Sequence, residues 1–311
     1  MIAFGPVPSR RLGKSLGINN ISAHKKCSYS CVYCQIGSTD KVSVKREVFY
    51  EPRDIVSKVE YHLNKLDNKD LPDYLTFVSN GEPTLDINLG QSIRALKQFG
   101  FPIAVITNSS LIASSNVRAE LAEADWVSLK VDSIESEMWK RINRPSELLI
   151  LENILEGISI FAKSYNGELH TETMLISGIN DSTESLEKNA SFISYLNPKV
   201  SYISIPIRPP AVKSIQAASN ERVAAAWQIY RDNGIRTELI NGFEGTGVAS
   251  TGDLVSDILN ITAVHPLRED SLDLLIKQNN ANFTIIKSLM EQNVIIKTNF
   301  NGYNYYLRIL K

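Results

Sequence analysis

Three cysteines lie within eight positions of this 311-residue chain, as Cys27-Ser-Tyr-Ser-Cys31-Val-Tyr-Cys34, and the sequence contains no other cysteine. Thiolates held this close together by a loop can converge on one soft metal centre, for which an iron–sulfur cubane is a natural candidate. A cubane has four irons, whereas the chain offers three thiolates. The pattern therefore predicts Cys27, Cys31 and Cys34 as ligands of a [4Fe–4S] cluster whose fourth iron is left for a non-protein ligand.

Other uses of these cysteines are open at this point. A structural zinc site normally has four Cys or His ligands, and His24 would complete such a set. A disulfide framework needs an even number of cysteines in a short secreted chain, and inert core cysteines would be more scattered. The cluster explains both the number and the crowding of the thiols.

The Cys-x3-Cys-x2-Cys spacing, with the aromatic Tyr33 before the last cysteine, resembles the signature of the radical S-adenosylmethionine (SAM) superfamily. The resemblance implies that the open iron chelates the methionyl part of SAM. It further implies that the reduced cluster cleaves SAM to methionine and a 5′-deoxyadenosyl radical. An external electron donor such as ferredoxin or flavodoxin follows from that chemistry, and the family's usual fold is a partial TIM-like barrel.

Residues 79–83, Ser-Asn-Gly-Glu-Pro, resemble the superfamily's Gly-Gly-Glu-Pro element, which hydrogen-bonds the ammonium group of SAM. Asn80 replaces the first glycine and keeps the backbone acceptors. A carboxylate at Glu82 and nearby carbonyls suit a cationic amine. Taken alone, Asn-Gly and Glu-Pro are also ordinary turn chemistry. The resemblance identifies Asn80, Gly81 and Glu82 as cofactor-binding residues.

The resemblance implies further SAM contacts at the ends of later strands. They are Asn108 after the third strand, Lys130 or Asp132 on the fourth, and the turn at 177–181 after the fifth. In the family these strand ends meet the ribose, carboxylate and adenine of SAM. A polar strand end is equally typical of a helix N-cap or a turn. Asn108 and Lys130 are taken as the candidate contacts.

Strand-like and helix-like segments alternate after the cysteines, which predicts an α/β fold with a mostly parallel sheet. Six βα repeats fit a partial TIM-like (βα)6 barrel, in which functional groups gather at the C-terminal ends of the strands. Ser128, Lys130 and Asp132 share one face of their strand, either inside the barrel or on a solvated edge. The predicted strands are 15–20, 74–79, 103–108, 126–132, 169–176 and 202–207. The predicted helices are 52–66, 88–99, 114–123, 147–163, 183–196 and 220–233.

Two sets of residues on the fifth and sixth strands are candidates for the substrate side of the cavity. A buried Glu or Arg is costly unless it is paired, so a pocket or a salt bridge between neighbouring strands must explain them. The sets are His170, Glu172 and Met174, and Tyr202, Ser204 and Arg208.

The amino-terminal segment 4–17 brings cations, among them Arg10 and Arg11, close in sequence to the cysteine loop. Together with that loop it resembles a family of iron–sulfur oxidoreductases related to tRNA wyosine synthases, over roughly residues 1–250. Wyosine synthases build a second cluster from additional cysteines, and this chain has none, so the wyosine reaction is not carried over. Arg10 and Arg11 either bind a substrate phosphate or carboxylate or balance the charge of the cluster.

The composition, 43% hydrophobic and 22% charged residues, suits a globular enzyme. The sequence shows no signal peptide and no apolar run of membrane-spanning length, so we expect a cytoplasmic protein with no membrane partner. The net charge of −1 gives no general attraction to phosphate, although a local basic surface is compatible with it.

The segment 242–256 is rich in Gly, Ser and Thr, which predicts a loop and a domain boundary. Beyond it we expect helices at 268–278 and 283–293 and a hairpin turning at Asn301-Gly302. The chain is therefore predicted to consist of a barrel over 1–250 and a small winged-helix-like module over 259–311.

The module is basic and its hairpin is aromatic, which fits RNA through phosphate attraction and base stacking. It fits equally a peptide, a partner protein or the barrel itself, because aromatic residues in a hairpin usually form core. The aromatic residues are Phe300, Tyr303, Tyr305 and Tyr306.

Taken together, the sequence predicts a radical SAM enzyme with one [4Fe–4S] cluster, and RNA, in particular tRNA, is the leading substrate class. The first alternative is radical modification of a protein, peptide or small molecule. The second is a metal-dependent sensor whose C-terminal module binds DNA and which does not turn over SAM.

Overall fold

A computed structural model describes residues 2–21, 24–242 and 245–309. The strands are β1 (Ala3–Ser9), β2 (Gly13–Ile18), β3 (Tyr74–Phe77), β4 (Ile103–Thr107), β5 (Trp126–Lys130), β6 (Glu168–Met174), β7 (Val200–Ser204), β8 (Thr237–Ile240), β9 (Leu267–Arg268), β10 (Ile295–Phe300) and β11 (Tyr303–Arg308). The helices are α1 (Pro52–Leu63), α2 (Leu89–Leu96), α3 (Ser115–Leu121), α4 (Ser136–Asn143), α5 (Leu151–Ser164), α6 (Thr183–Leu196), α7 (Asn220–Asp232), α8 (Leu254–Thr262), α9 (Glu269–Gln278) and α10 (Thr284–Glu291).

Within those residues, strands β1 to β8 form one curled sheet in their chain order. β1 and β2 pair antiparallel, and every later pair in this sheet is parallel. The sheet's outward-facing apolar residues, such as Leu75 and Val127, share a core with Ile93 and Ile158 of the covering helices. This is the partial TIM-like barrel that the alternation predicted, and it places the βα loops together at one end.

All six predicted strands are present, and β5 lies between β4 and β6, so its polar face is not that of a solvated edge strand. Two further strands, β1 and β8, lie at the two edges of the sheet. Pro6 and Pro8 in β1 argue against a strand because proline cannot donate to a ladder, but an edge strand tolerates them. β8 is short and largely solvent-accessible, so it has little hydrophobic pattern.

The predicted helices of the barrel agree with the structure to within a few residues, and one helix, α4, was not predicted. α4 has only eight residues, and the side chain of Glu135 at its N-cap makes no capping hydrogen bond. Short helices gain little stability from local interactions, so they depend on tertiary packing. Here Trp139 and Ile142 supply that packing, since both are buried.

The C-terminal part has its own hydrophobic core, formed by residues such as Ile258, Leu272 and Ile286 together with Phe4 and Val7 of β1. Its three described strands pair in the order β10, β11, β9. The hairpin prediction is confirmed, because the backbone at the Asn301-Gly302 turn has positive φ angles of 49° and 82°. The division at 250/259 and the winged-helix-like assignment stay predictions.

Helix α8 begins at Leu254, inside the segment for which composition predicted a loop. The side chain of Asp253 caps it by accepting a hydrogen bond from the amide of Ser256. None of the helices in the described ranges is long and apolar enough to cross a membrane.

Candidate active site

The cysteine loop follows β2 and is attached to the end of helix α4. The amide of Ser30 donates to the carbonyl oxygen of Asn143 at 3.0 Å, and the amide of Val32 donates to that of Ile142 at 2.9 Å. Farther along, the amide of Ser43 closes the loop on itself by donating to the carbonyl oxygen of Cys27 at 3.0 Å. The cysteines are thus anchored to the barrel although their segment has little regular secondary structure.

A cavity of about 340 Å³ lies at the C-terminal ends of the strands, and all three cysteines line it. A volume of this order is typical of a site for a small organic ligand. Apolar residues make up much of the wall. Polar and charged groups that converge on the cavity are Arg10, Arg11, Glu82, Asn108, Lys130, Glu172, Ser204 and Arg208.

Each cysteine sulfur accepts one N–H hydrogen bond from a different residue. Nδ2 of Asn108 lies 3.5 Å from Sγ of Cys27, and Nδ2 of Asn143 lies 3.4 Å from Sγ of Cys31. Nζ of Lys25 lies 3.2 Å from Sγ of Cys34. Such donors stabilise negative charge on sulfur, and they are typical surroundings of metal-bound thiolates.

All three cysteines are free thiols. Burial, together with the proximity of the other cysteines, raises the pKa of Cys31 to about 12 and shifts the pKa of Cys27 further upward. The thiolate is the form that binds iron, so a positively charged metal centre is needed to stabilise the ionised form here. Three thiols that line one cavity, with an N–H donor at each sulfur, therefore fit an iron–sulfur cluster.

In the described part of the chain, no three His, Cys, Asp or Glu groups are arranged around a position for one metal ion. A four-ligand zinc site completed by His24 would need such an arrangement. A cubane differs, because its thiolates bind separate irons and need not meet at one point.

The Asn80-Gly81-Glu82 segment lies directly against the cysteine loop. Gly81 forms a parallel bridge with Lys26, the residue before Cys27. The amide of Glu82 donates to the carbonyl oxygen of Lys26 at 2.9 Å. The structure therefore brings together two motifs whose nearest residues, Cys34 and Asn80, are 46 positions apart in the sequence. Gly81 and Glu82 line the cavity with the cysteines.

The carboxylate of Glu82 is buried and accepts several hydrogen bonds from its surroundings. Oε1 accepts from the amide and hydroxyl of Thr84, at 3.1 and 2.7 Å, and from the hydroxyl of Thr107 at 2.6 Å. Oε2 accepts from the amide of Asn108 at 2.7 Å. Burial raises its pKa, and these donors oppose that shift. These hydrogen bonds connect the segment after β3, which contains Glu82, with the end of β4 at Thr107 and Asn108.

Asn108 connects this carboxylate to the cysteine loop. Besides contacting Cys27, its Nδ2 donates to the hydroxyl of Ser28 at 3.1 Å, while its own amide donates to Glu82. Asn108 also lines the cavity. Its predicted contact with SAM stays a prediction, and the structure adds a contact with the first cysteine.

Lys130 points into the barrel, where its ammonium lies between two carboxylates. Nζ is 3.1 Å from Oε1 of Glu172 and 3.4 Å from Oδ1 of Asp132. Burial alone would lower the pKa of Lys130, but the two carboxylates outweigh it and the net shift is upward. Lys130 therefore stays charged at neutral pH, and its predicted role with SAM stays a prediction.

Arg11 contributes a second cation to the same group by pairing with Glu172. Burial alone would raise the pKa of Glu172, but Arg11 and Lys130 lower it to about 2. This ion pair connects the β1–β2 turn with β6 across the barrel. The salt-bridge interpretation of Glu172 is thus correct, and the glutamate also faces the cavity.

Asp132 joins the cysteine loop to the barrel. Oδ2 accepts hydrogen bonds from the hydroxyl of Tyr33 and, at 2.8 Å, from Nδ2 of Asn143. Oδ1 accepts from the amide of Met174 at 2.9 Å. The carboxylate thereby orients the amide that contacts Cys31.

The two sets assigned to the substrate side divide into cavity and core. Glu172, Met174, Ser204 and Arg208 line the cavity. His170 instead stacks between Trp126 and Tyr202, at ring-centroid distances of 4.6 and 5.7 Å. Burial lowers the pKa of His170 to about 4, so it is neutral at pH 7 and forms part of the barrel core. A position facing the barrel interior was therefore not enough to predict cavity residues, because the interior is filled below the cavity.

The turn at 177–181 supports strand ends through Asn180. Its Nδ2 donates to the carbonyl oxygens of Asp132 and Met174 at 2.8 and 2.9 Å, and its Oδ1 accepts from the amide of Ile176 at 2.9 Å. The turn interpretation of this segment is thus correct.

Two of the three residues that donate hydrogen bonds to the sulfurs were not identified from the sequence. Asn143 is the last residue of helix α4, which was not predicted. Lys25 is followed directly by Lys26, but Lys25 contacts Cys34 whereas Lys26 pairs with Glu47. Sequence spacing gave no signal for Asn143, which lies 112 residues from Cys31.

Comparisons with known proteins show the family and the fold to which the chain is similar. The model of the radical SAM superfamily matches residues 21–190. A UPF0026 protein of Methanocaldococcus jannaschii is 45% identical over 312 residues, covering 100% of this chain and 97% of that protein. A probable dual-specificity RNA methyltransferase RlmN of Thermotoga sp. (strain RQ2) is 26% identical and covers 70% of this chain and 63% of its own.

Among solved structures, TYW1 with a lysine-pyruvate adduct bound is similar in fold, with a TM-score of 0.56. The two chains are 16% identical, and the match covers 72% of this chain and 75% of that one. The match of the superfamily model to more than half of the chain agrees with the cysteine motif and with the barrel. The chain belongs to the radical SAM superfamily and shares its enzyme fold.

Proposed function

We propose that the protein is a radical SAM enzyme that holds one [4Fe–4S] cluster on Cys27, Cys31 and Cys34 and binds SAM in the adjoining cavity. The observation that carries the proposal is the joint lining of one cavity by the three cysteines, Gly81 and Glu82. A cluster bound there would supply one electron to the sulfonium of SAM, giving methionine and a 5′-deoxyadenosyl radical that abstracts a hydrogen atom from the substrate.

The chain's own residues would hold these groups in defined places. The thiolates would bind three irons, and the Asn80–Gly81 backbone, whose position against Lys26 is described above, would offer carbonyls to the amino group of SAM. Asn108 and Lys130 would contact other polar parts of SAM. Lys130 stays cationic because Glu172 and Asp132 flank it, so it would also attract a carboxylate.

An external donor, such as ferredoxin or flavodoxin, would supply the electron, because the chain has three cysteines and all of them are assigned to this cluster. The proposal also keeps a barrel over 1–250 and a C-terminal module over 259–311, with the protein acting in the cytoplasm.

RNA is the substrate class that we propose first, and tRNA is the leading candidate. The similarity to an RNA methyltransferase over 70% of the chain supports it. The aromatic residues of the C-terminal hairpin give less support than the sequence suggested, because Tyr305 and Tyr306 are buried and cannot stack on bases. Tyr303, which is 53% exposed, remains available.

The test is release of 5′-deoxyadenosine from anaerobically reconstituted, chemically reduced protein supplied with SAM. Parallel reactions contain intact RNA from the host, the same RNA after ribonuclease digestion, or no RNA. The Cys31→Ala variant is the blank, since it lacks one proposed iron ligand. We expect release that rises with intact RNA and returns to the basal rate after digestion.

Other outcomes would reject defined parts of the proposal. Release that is indifferent to RNA would retain the radical chemistry and direct the search to peptides or small molecules. If the wild type assembles a cluster yet releases no 5′-deoxyadenosine under any condition, the enzyme proposal is wrong and a metal-dependent DNA-binding sensor becomes the better explanation.

A further inference from the structure

The N–H donors around the three cysteines are not equivalent. Cys27 and Cys31 accept from neutral side-chain amides of Asn108 and Asn143, whereas Cys34 accepts from the ammonium of Lys25. An ammonium close to sulfur carries a full positive charge, so its electrostatic effect on the sulfur exceeds that of an amide dipole.

A second hydrogen bond also fixes the position of the Lys25 ammonium. Its Nζ also donates to the carbonyl oxygen of Gly37. Gly37 belongs to the turn that follows Cys34, because its amide donates to the carbonyl oxygen of Cys34 at 3.1 Å. The ammonium therefore bridges the thiol and the backbone of the same turn, and its direction is defined by both contacts.

The neighbouring lysine shows that this contact is specific to Lys25. Nζ of Lys26 lies 3.4 Å from Oε2 of Glu47, away from the sulfurs. Both lysines are half-buried and adjacent in sequence. Their contacts differ: the ammonium of Lys25 contacts a cysteine sulfur, whereas that of Lys26 pairs with a carboxylate.

Carboxylates oppose Lys25 around the same three thiols. The carboxylate of Glu82 lines the cavity together with the cysteines, and the carboxylate of Asp132 accepts hydrogen bonds from Tyr33 and from the Asn143 amide that contacts Cys31. Negative charges of this kind would make it harder to add an electron to a cluster bound here. A cation at the third cysteine would act in the opposite direction.

We propose that Lys25 is a positioning residue that raises the reduction potential of the cluster by holding its ammonium against the sulfur of Cys34. Reduction adds one negative charge to the cluster and its thiolates, so a nearby cation stabilises the reduced form more than the oxidised form. The inference rests on the proposed function, since it requires a cluster on the three cysteines.

The experiment is a redox titration of the anaerobically reconstituted full-length protein without SAM, followed by electron paramagnetic resonance of the reduced cluster. Iron and sulfide are quantified first, so that only samples with equal cluster content are compared. The variants are Lys25→Met, which removes donor and charge, and Lys25→Gln, which retains an N–H donor. Lys26→Met is the matched control because it removes the same charge one residue away.

We expect the Lys25→Met potential to be more negative by an amount equivalent to at least a tenfold change in the reduction equilibrium, or 59 mV for a one-electron couple. The Lys25→Gln potential should lie between those of Lys25→Met and the wild type, and Lys26→Met should match the wild type. A Lys25→Met potential equal to that of the wild type overturns the inference. So does an equal shift in Lys25→Met and Lys26→Met, since general charge would then explain it.

Failure of the proposed function would look different. If the wild type takes up no iron and sulfide, or binds them equally after Cys31→Ala, the cluster assignment itself is wrong and the inference about Lys25 falls with it. If the wild type assembles the cluster and only the expected shift is missing, the cluster assignment survives.

Discussion

Gly81 lies against the backbone of Lys26 so closely that a β-carbon on Gly81 would fall 1.6 Å from the Lys26 carbonyl oxygen. That oxygen also accepts the hydrogen bond from the amide of Glu82. The residue before Cys27 is therefore joined to the segment proposed to bind the amino group of SAM. Any β-carbon at position 81 would collide with this oxygen, so the observed position of the cysteine loop requires glycine there.

Gly81→Ala should therefore displace the start of the cysteine loop. We expect a loss of about 1–3 kcal/mol in unfolding free energy, as for other substitutions that overpack a tight contact. We also expect iron incorporation to fall to less than half of the wild-type amount. Gly247→Ala is the control, because a β-carbon there meets no atom within 4 Å. Wild-type stability and iron content in Gly81→Ala would show that the two segments can separate without consequence.

Because Glu172 is paired with Arg11 and Lys130, we expect the stability of the protein to decrease as the pH falls. Its pKa lies at about 2 in the folded protein, below the ordinary value of 4.5. The unfolded chain binds the proton first as the pH falls, so the stabilisation is present above about pH 4.5 and is lost towards pH 2. A shift of this size corresponds to roughly 3 kcal/mol.

Glu172→Gln should remove this pH dependence. At pH 7 the variant should be less stable by about 3–5 kcal/mol, because Arg11 and Lys130 lose a buried partner. At pH 3 the difference in unfolding free energy between the variant and the wild type, measured by urea unfolding, should be smaller by about 2 kcal/mol than at pH 7. Glu152→Gln, at an exposed position on α5, should track the wild type at both values. A difference for Glu172→Gln that is equal at pH 7 and pH 3 would contradict the assignment.

The repeating part of the fold could be predicted from the sequence because its signals are local. The six predicted strands contain apolar residues in continuous or alternating runs, and each is followed by a helical pattern; burial of the apolar residues against the outer helices preserves that pattern. The strands that were missed lie at the edges, where Pro6 and Pro8 are tolerated in β1 and where β8 buries little surface. Edge positions are a property of the whole sheet, so no local pattern reports them.

The candidate site likewise has a part that could be predicted from the sequence and a part that could not. The cysteines and the Asn-Gly-Glu-Pro segment are contiguous motifs that could be found in the sequence; the three cysteines, Gly81 and Glu82 line the cavity, and Asn80 is buried beside them. The groups that support them come from distant parts of the chain, as with Asn143 at the end of an unpredicted helix. Their hydrogen bonds arise only when the barrel closes, so they could not be found from spacing.

Asn180 offers a test of how the strand ends near the cavity are held. Its amide group makes three hydrogen bonds, to the backbones of Asp132, Met174 and Ile176. Asn180→Ala would leave these buried groups without that partner, and we expect a loss of about 2–4 kcal/mol in unfolding free energy by urea titration. Asn64→Ala, at the exposed end of α1, should cost far less. Equal losses in the two variants would show that Asn180 does not hold the strand ends.

The proposed RNA substrate can be tested through the one exposed tyrosine among the described residues of the C-terminal hairpin. The side chain of Tyr303 is 53% exposed, and the guanidinium of Arg268 lies 4.5 Å from its ring centroid. Base stacking on an aromatic ring is worth about 1–3 kcal/mol, so Tyr303→Ala should weaken RNA binding by roughly 5- to 150-fold in a filter or fluorescence assay. Tyr195→Ala is the matched control, since Tyr195 is 59% exposed on α6, outside the hairpin. Unchanged RNA affinity in Tyr303→Ala would exclude stacking by this residue, and an equal loss in both variants would show that the RNA binding is not directed to the hairpin.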